Sequence, residues 1–199
     1  MSGNLTKDIA GNGTTVLQSD VVSANNGIKI AGTIDGNGKT IDLTTSTNYN
    51  KFSVGGFKGT TNLKINVDMT TVSDKAKDSN LITLTGTSIE NAIVDLTSIN
   101  VTNLADAPDG GEKLYTDYVT YLNTSGAGTF ENLTLKLNGN TAEITTHAQV
   151  GDVGRDYTFT LGSDGSLNVL VKDTSLTLER FITGETNTPA TTYSLNSLS

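Results

Sequence analysis

The residues of the chain that are best suited to catalysis lie around its single histidine. His147 is preceded by Glu143 and followed by Asp152, with Arg155 and Asp156 a little beyond. A carboxylate beside an imidazole can act in general acid–base catalysis when the fold brings the two groups within hydrogen-bond reach. No Gly-x-Ser-x-Gly motif marks a serine as nucleophile. An ordinary surface loop explains this cluster better, so we assign no catalytic residue.

A second candidate site combines three tyrosines with an acidic loop. Tyr115, Tyr118 and Tyr121 follow the loop from Ala105 to Gly111, which contains Asp109. Aromatic faces beside an inserted loop are typical of a sugar-binding groove. Alternatively, the rings cover an apolar edge of the core, because a buried tyrosine ring can keep its hydroxyl in water. These three tyrosines and Asp109 form the predicted binding residues.

Acidic turns raise the question of a metal ion. Carboxylates stand in the turns Asp35-Gly36-Asn37-Gly38, Asp106-Ala107-Pro108-Asp109 and Ser163-Asp164-Gly165, and hard oxygen ligands of this kind suit calcium. Aspartate and asparagine also favour turns because their side chains bond to nearby backbone. No EF-hand loop is present. We therefore expect no cofactor and no metal ligand, with calcium as the alternative.

The elements that must position these residues are predicted to be short β-strands. Apolar and polar residues alternate in pieces such as Leu63–Val67, Ile93–Leu96, Leu133–Leu137 and Tyr157–Leu161, and Gly, Asn, Asp and Ser separate them. Lys113 to Leu122 fits either a helix or a strand. Helical periodicity is nearly absent elsewhere, so the sequence predicts an all-β fold.

Similar sequence motifs precede several of these strands. Gly-Thr, a short bridge, Asn and then alternating apolar residues occur at Gly59–Ile65, Gly86–Val94 and Gly128–Leu135. Stacked repeats would bury one face of each strand in a continuous core. The asparagines before the strands would then form a ladder, with each amide bonded to the next copy or to the turn backbone.

The segment Gly32–Leu43 and the recurring strands that begin with Asn-Leu resemble coils of the right-handed parallel β-helix superfamily. That superfamily includes pectate-lyase-like enzymes and the passenger regions of bacterial autotransporter and filamentous-haemagglutinin-like adhesins. The resemblance implies one β-solenoid domain over residues 14–182, with irregular loop insertions. Residues 1–13 would form an N-terminal segment, and residues 183–199 a Thr/Asn/Ser-rich linker or edge segment. An antiparallel β-sandwich is the alternative fold, because short strands with turn signals fit it too.

Composition excludes several classes of function. The chain of 199 residues has a formal net charge of −8 and no cysteine, and its only arginines are Arg155 and Arg180. Nucleic-acid binding is not expected without a basic patch. Disulfides and thiolate metal sites are excluded. No apolar stretch is long enough for a membrane-spanning helix, so we expect no membrane insertion.

These observations, with the resemblance, predict a non-enzymatic segment of a bacterial adhesin or secreted passenger protein. It would be extracellular or on the bacterial cell surface and act as a stiff spacer that presents binding loops. A host glycan, a cell-surface protein or copies of itself are the expected partners. The alternatives are a polysaccharide lyase or hydrolase on the same fold, and a self-assembling fibre or surface-layer subunit.

Overall fold

Short strands dominate the computed structural model, which describes residues 3–23, 28–44, 52–70, 82–87 and 90–176. A 3-10 turn at Asp109–Gly111 precedes β10. The strands are β1 (Gly3–Leu5), β2 (Thr14–Val16), β3 (Val21–Ser23), β4 (Ile28–Asp35), β5 (Thr40–Asp42), β6 (Phe52–Lys58), β7 (Thr60–Asp68), β8 (Ile82–Leu84), β9 (Ala92–Asn103), β10 (Glu112–Thr120), β11 (Leu122–Thr124), β12 (Leu133–Leu137), β13 (Glu143–Val150), β14 (Val153–Leu161) and β15 (Ser166–Asp173).

These strands form two parallel sheets and one antiparallel sheet. The first parallel sheet has the order β1-β3-β5-β7-β9-β12, and the second has the order β11-β8-β6-β4-β2. The chain alternates between these two sheets from β1 to β9. The antiparallel sheet has the order β10-β15-β14-β13. The all-β prediction is confirmed, whereas an antiparallel sandwich finds no support in the described strands, because two of the three sheets are parallel throughout.

Aliphatic side chains stack along the inner faces of the parallel sheets. Register pairing aligns one residue from each of five neighbouring strands in the first sheet, and all five are buried: Val21, Ile41, Leu63, Leu96 and Leu137. The second sheet aligns Ile28, Phe52, Ile82 and Leu122 in the same way. Each strand therefore buries its apolar residues against equivalent residues of its neighbours, and this burial is the main stabilising contribution.

Amide side chains connect successive strands of the first sheet. Asn62 Nδ2 donates to the Gly38 carbonyl at 3.0 Å, and Asn66 Nδ2 donates to the Thr44 carbonyl at 3.0 Å. Asn100 Nδ2 donates to Asn66 Oδ1 at 3.0 Å. Bonds of this kind satisfy the polar groups of these side chains, including the buried Asn66, and hold neighbouring strands in register.

Several glycines in and beside the second sheet lie where a neighbouring backbone leaves no room for a side chain. A Cβ at Gly55 would lie 2.4 Å from the Ala31 carbonyl oxygen, and one at Gly86 would lie 2.5 Å from the Gly55 carbonyl oxygen. A Cβ at Gly32 would lie still closer to the Gly13 carbonyl oxygen, at 2.0 Å. Only a residue without a side chain fits at these positions.

The antiparallel sheet packs its inner face on the same core. Tyr157, Phe159, Val169 and Val171 are fully buried there. The segment that fitted either a helix or a strand forms β10, an edge strand of this sheet. No helix in the described part of the chain is long and apolar enough to cross a membrane.

The termini of the predicted domain differ in how much of them the structure describes. Within the predicted N-terminal segment, β1 pairs with β3 and Ile9 forms a bridge with Ile30. Residues 3–9 are therefore continuous with the parallel sheets. The predicted segment 183–199 lies outside the described residues.

Candidate functional site

An open cleft lies between the C-terminal part of β9 and the hairpin formed by β13 and β14. Its volume is about 460 Å³, which is within the range of ligand-binding pockets. The lining has five aliphatic residues, Val101, Leu104, Ala148, Val150 and Val153, and three polar ones, Thr102, Asn103 and Gln149.

The cleft separates the edges of two strands. β9 pairs with β7 as far as Asn103, but with β12 only over Ala92–Leu96. β13 is the edge strand of the antiparallel sheet and pairs only with β14 among the described strands. Thr146 Oγ1 donates to the Ile99 carbonyl at 2.9 Å and holds the two strands together at one point. The cleft lies beyond this contact, between Val101–Leu104 and the hairpin residues Ala148–Val150 and Val153.

A tight turn places two valines at the rim of the cleft. Gly151 and Asp152 form the two-residue loop between Val150 and Val153, and Gly151 has a φ of 59°. A glycine with positive φ at the first loop position is what a type II′ hairpin turn requires. Val150 is 70% exposed and Val153 is 44% exposed. The hairpin therefore presents apolar surface to solvent beside the cleft.

A buried arginine fixes the other wall of the cleft. Arg155 donates through Nη1 to Asp173 Oδ1 at 2.6 Å and through Nε to the Ala105 carbonyl at 3.1 Å. The Ala105 N–H donates to Tyr157 Oη at 2.8 Å. Both backbone groups of Ala105 are thus bonded to β14, so the segment after β9, including Leu104, is held against the antiparallel sheet.

The structure brings together two members of the predicted acid–base cluster. His147 and Asp156 lie opposite each other on β13 and β14, with 2.6 Å between Nδ1 and Oδ1. Gln149 Oε1 lies 3.5 Å from the other ring nitrogen of His147. Of the remaining members, Glu143 lies at the far end of β13 and Arg155 is buried on the opposite face of the sheet.

This pair can share a proton, but it has little else around it for catalysis. The side chains of His147 and Asp156 are 40% and 31% exposed, on the outer face of a sheet. Among the described residues no group of three or more His, Cys, Asp or Glu side chains is arranged to hold a metal ion. The geometry supports a polar contact beside the cleft more than a reaction centre.

The four predicted binding residues occupy different environments. Tyr118 and Tyr121 are buried in the core, and Asp109 is exposed in the 3-10 turn. Tyr115 is half-buried with its ring 6.0 Å from that of Tyr118, and Lys113 Nζ lies 5.0 Å from the Tyr115 ring centre. A buried ring offers no face to a ligand, so this arrangement favours core packing for Tyr118 and Tyr121. A binding role for the four residues together stays a prediction.

Two buried tyrosines differ in how their hydroxyls are satisfied. Burial raises the pKa of Tyr121, and the nearby charge of Asp95 raises it further. Its hydroxyl is buried and has no hydrogen-bond partner. Burial also raises the pKa of Tyr157, against the lowering effects of the Ala105 N–H and of Arg155. Both phenols are therefore held in the neutral form.

Several turn aspartates bond to backbone. Asp35 Oδ1 accepts from the Asn37 N–H at 3.1 Å, within its own turn. Asp8 Oδ1 accepts from the Lys29 N–H at 2.9 Å and Asp20 Oδ1 from the Thr40 N–H at 2.8 Å, so these side chains connect one strand pair to the next. Local structure thus accounts for these carboxylates without an ion.

Sequence reasoning did not identify the cleft. The signal was present in the Gly151-Asp152 dipeptide flanked by Val150 and Val153, which is a hairpin signature. The opposite wall, Val101 to Leu104, is distant in sequence. Only the packing of the antiparallel sheet on β9 brings the two walls together.

Comparison with known proteins gives no further identification of this arrangement. No family model, curated protein or solved structure matches the chain. The functional interpretation therefore depends on the geometry of the described residues.

Proposed function

We propose that the chain is a non-enzymatic β-solenoid segment of a surface-exposed bacterial protein, built as a right-handed parallel β-helix. It acts as a stiff scaffold that presents the cleft and the adjacent antiparallel sheet to a partner. A host glycan, a cell-surface protein or a second copy of the chain is the expected partner. An extracellular or cell-surface location belongs to the same proposal.

The observation that carries this proposal is the alternation of the chain between two parallel sheets. Stacked aliphatic columns, close glycine contacts and amide bonds all repeat along the stacking direction. A solenoid built in this way has stability distributed over many nearest-neighbour contacts, which is suited to a spacer. The parallel sheets therefore serve as the support and need no chemistry of their own.

The antiparallel sheet supports the binding half of the proposal. Three of the four exposed large apolar residues of the described chain lie in it: Leu114, Val150 and Val153. Exposed apolar surface beside a cleft is typical of an interaction site. The remaining outer face carries polar pairs such as His147 with Asp156, which suit a wet rim of an interface.

The proposal is tested by incubating the chain with immobilised polysaccharides, immobilised matrix glycoproteins and the immobilised chain itself. Retained protein and released product are measured in the same wells. We expect saturable retention on at least one target, with no released product. Release of sugar products, or the absence of retention on every target, would overturn the proposal.

A polysaccharide lyase or hydrolase is the second candidate, favoured by the contact between His147 and Asp156. An imidazole whose Nδ1 is bonded to a carboxylate is oriented for proton transfer through its other nitrogen. If this candidate holds, His147→Gln abolishes product release while retention stays within twofold of the original chain. Lys172→Gln is a matched control, because Lys172 lies opposite Asp156 on β15 and is exposed.

A further inference from the structure

The edge of β13 that no described strand pairs with suggests how a partner binds. We infer that an extended, lysine- or arginine-containing segment of a partner protein occupies the cleft and adds a strand to β13. This inference rests on the proposed function and names the chemistry of the partner for that site.

Backbone hydrogen-bonding groups are available for such a strand. Bonds alternate along an antiparallel pair, so every second residue of β13 directs its N–H and C=O away from β14. On the side of β9 that faces away from β7, the ladder with β12 covers only Ala92–Leu96, and the Ile99 carbonyl accepts from Thr146 Oγ1. An extended peptide satisfies such groups by β-augmentation, and pockets for alternate side chains then provide specificity.

The cleft supplies aliphatic pockets for such side chains. Val101 and Leu104 form one wall and Val150 and Val153 form the other. These residues are branched and uncharged, and they suit valine- or isoleucine-sized side chains of a strand. Burial of each such side chain removes apolar surface from water and so favours binding.

The charge around the cleft selects a cationic segment. Asp152 lies at the hairpin tip between the two rim valines, and Asp106 follows the wall residue Leu104 by two positions; both are exposed. The nearby Arg155 is buried and paired with Asp173, so it does not offset them. With a net charge of −8, the chain attracts basic partners and repels acidic ones.

The inference is tested with a fluorescein-labelled peptide of sequence Lys-Val-Thr-Val-Lys-Val and fluorescence anisotropy on the 199-residue chain. We expect saturable binding that weakens as salt increases. Replacing both lysines with glutamate is expected to weaken binding at least tenfold. Replacing the threonine with proline, which removes a backbone donor, is expected to do the same. Equal binding of all three peptides, or no saturable binding of the first, would overturn the inference.

Variants locate the binding site. Val150→Lys and Val153→Lys each add charge to an exposed rim position and are expected to weaken binding at least tenfold. Val16→Lys is the matched control, because Val16 is 37% exposed on β2, outside the cleft, and makes the same chemical change. Equal losses in all three variants would show that net charge, not the cleft, governs binding and would overturn the inference.

Other occupants give distinct results. If a chain ending at Leu176 binds the peptide and the complete chain does not, the cleft is filled by the chain itself and the inference is wrong. If two copies fill each other's cleft, sedimentation shows a dimer that Val153→Lys dissociates, which also overturns it. Failure of peptide binding with continued retention on a target in the panel would reject this inference and leave the proposed function standing.

Discussion

The parallel sheets and the antiparallel sheet use the same kinds of strand for different purposes. In the parallel sheets, apolar residues such as Leu63 and Ile41 point inward and are fully buried. Outward polar residues such as Asn100 bond to the neighbouring strand. In the antiparallel sheet, one face is equally buried, but Val150 and Val153 stay exposed at a cleft.

Under the proposed function, this difference separates the supporting part of the molecule from the binding part. A strand inside a parallel stack, such as β7, has a ladder neighbour on each side. β13 has a described ladder partner on one side only, and its hairpin carries exposed apolar surface at Val150 and Val153. We therefore propose that the antiparallel sheet binds the partner and that the parallel sheets provide stiffness.

The largest expected effect comes from removing the arginine that joins the two regions. Arg155→Met leaves Asp173 without its ion pair and the Ala105 carbonyl without its donor, so we expect a loss of about 3 kcal/mol in the free energy of unfolding. Urea denaturation measures the loss. Hydrogen exchange should show lost protection at Ala105 and in β14, while the parallel sheets stay protected. Lys172→Met, one strand away and exposed, should change stability by less than about 0.5 kcal/mol. Equal stability of the two variants would contradict the assignment.

A substitution inside the parallel stack should have the next largest effect. Gly55→Ala places a Cβ against the Ala31 carbonyl, so neighbouring strands must separate, and we expect a loss of about 2 kcal/mol in the free energy of unfolding. Gly11→Ala is the control, because a Cβ there would meet no atom within 4 Å. Chemical denaturation of both variants tests the prediction. A loss at Gly11 as large as that at Gly55 would show that close strand approach is not the cause.

Two tyrosine hydroxyls provide a smaller and more specific comparison. Tyr157→Phe leaves the buried Ala105 N–H without an acceptor, and we expect a loss of about 1 kcal/mol. Tyr121→Phe removes a buried hydroxyl that has no partner, so it should leave stability unchanged or increase it. Thermal and urea denaturation of the two variants measure the difference. The reverse order would contradict the hydrogen-bond assignment at Ala105.

The smallest effect is expected from alkaline pH. Because the pKa of both Tyr121 and Tyr157 is raised above the ordinary value of 10.0, the unfolded chain loses these protons first as pH rises. The stabilising contribution is complete below about pH 10 and is lost at higher pH. Urea titrations between pH 8 and about pH 11 should show a decline in the free energy of unfolding that is shallower in Tyr121→Phe. An identical decline in that variant would contradict burial of the phenol in the folded state.

Much of the fold could be predicted from local alternation. The predicted strand Leu133–Leu137 matches β12, and Tyr157–Leu161 lies within β14. Alternation has the same period in parallel and antiparallel strands, so it did not reveal that β10 and β13–β15 form a separate antiparallel sheet. That information lies in long-range pairing.

The repeated Gly-Thr motifs predicted that the strands stack, but not which positions of successive strands are structurally equivalent. Gly59 has positive φ and precedes β7 in the first parallel sheet. Gly86 follows β8 of the second sheet and stacks on Gly55. Similar sequence motifs therefore occupy different structural positions, because glycine is favoured both in turns and where two backbones approach closely. Likewise, the predicted binding residues Tyr118 and Tyr121 pack in the core, because burial of a large ring removes much apolar surface from water.

The most direct test of the central claim compares retention of matched variants on a target that retains the original chain. Val153→Lys alters the cleft, and Val16→Lys makes the same change on a parallel strand. We predict that Val153→Lys loses at least nine-tenths of retention, that Val16→Lys keeps it, and that no variant releases product. Equal retention of the two variants, or product release by the original chain, would contradict the division between a supporting scaffold and a binding sheet.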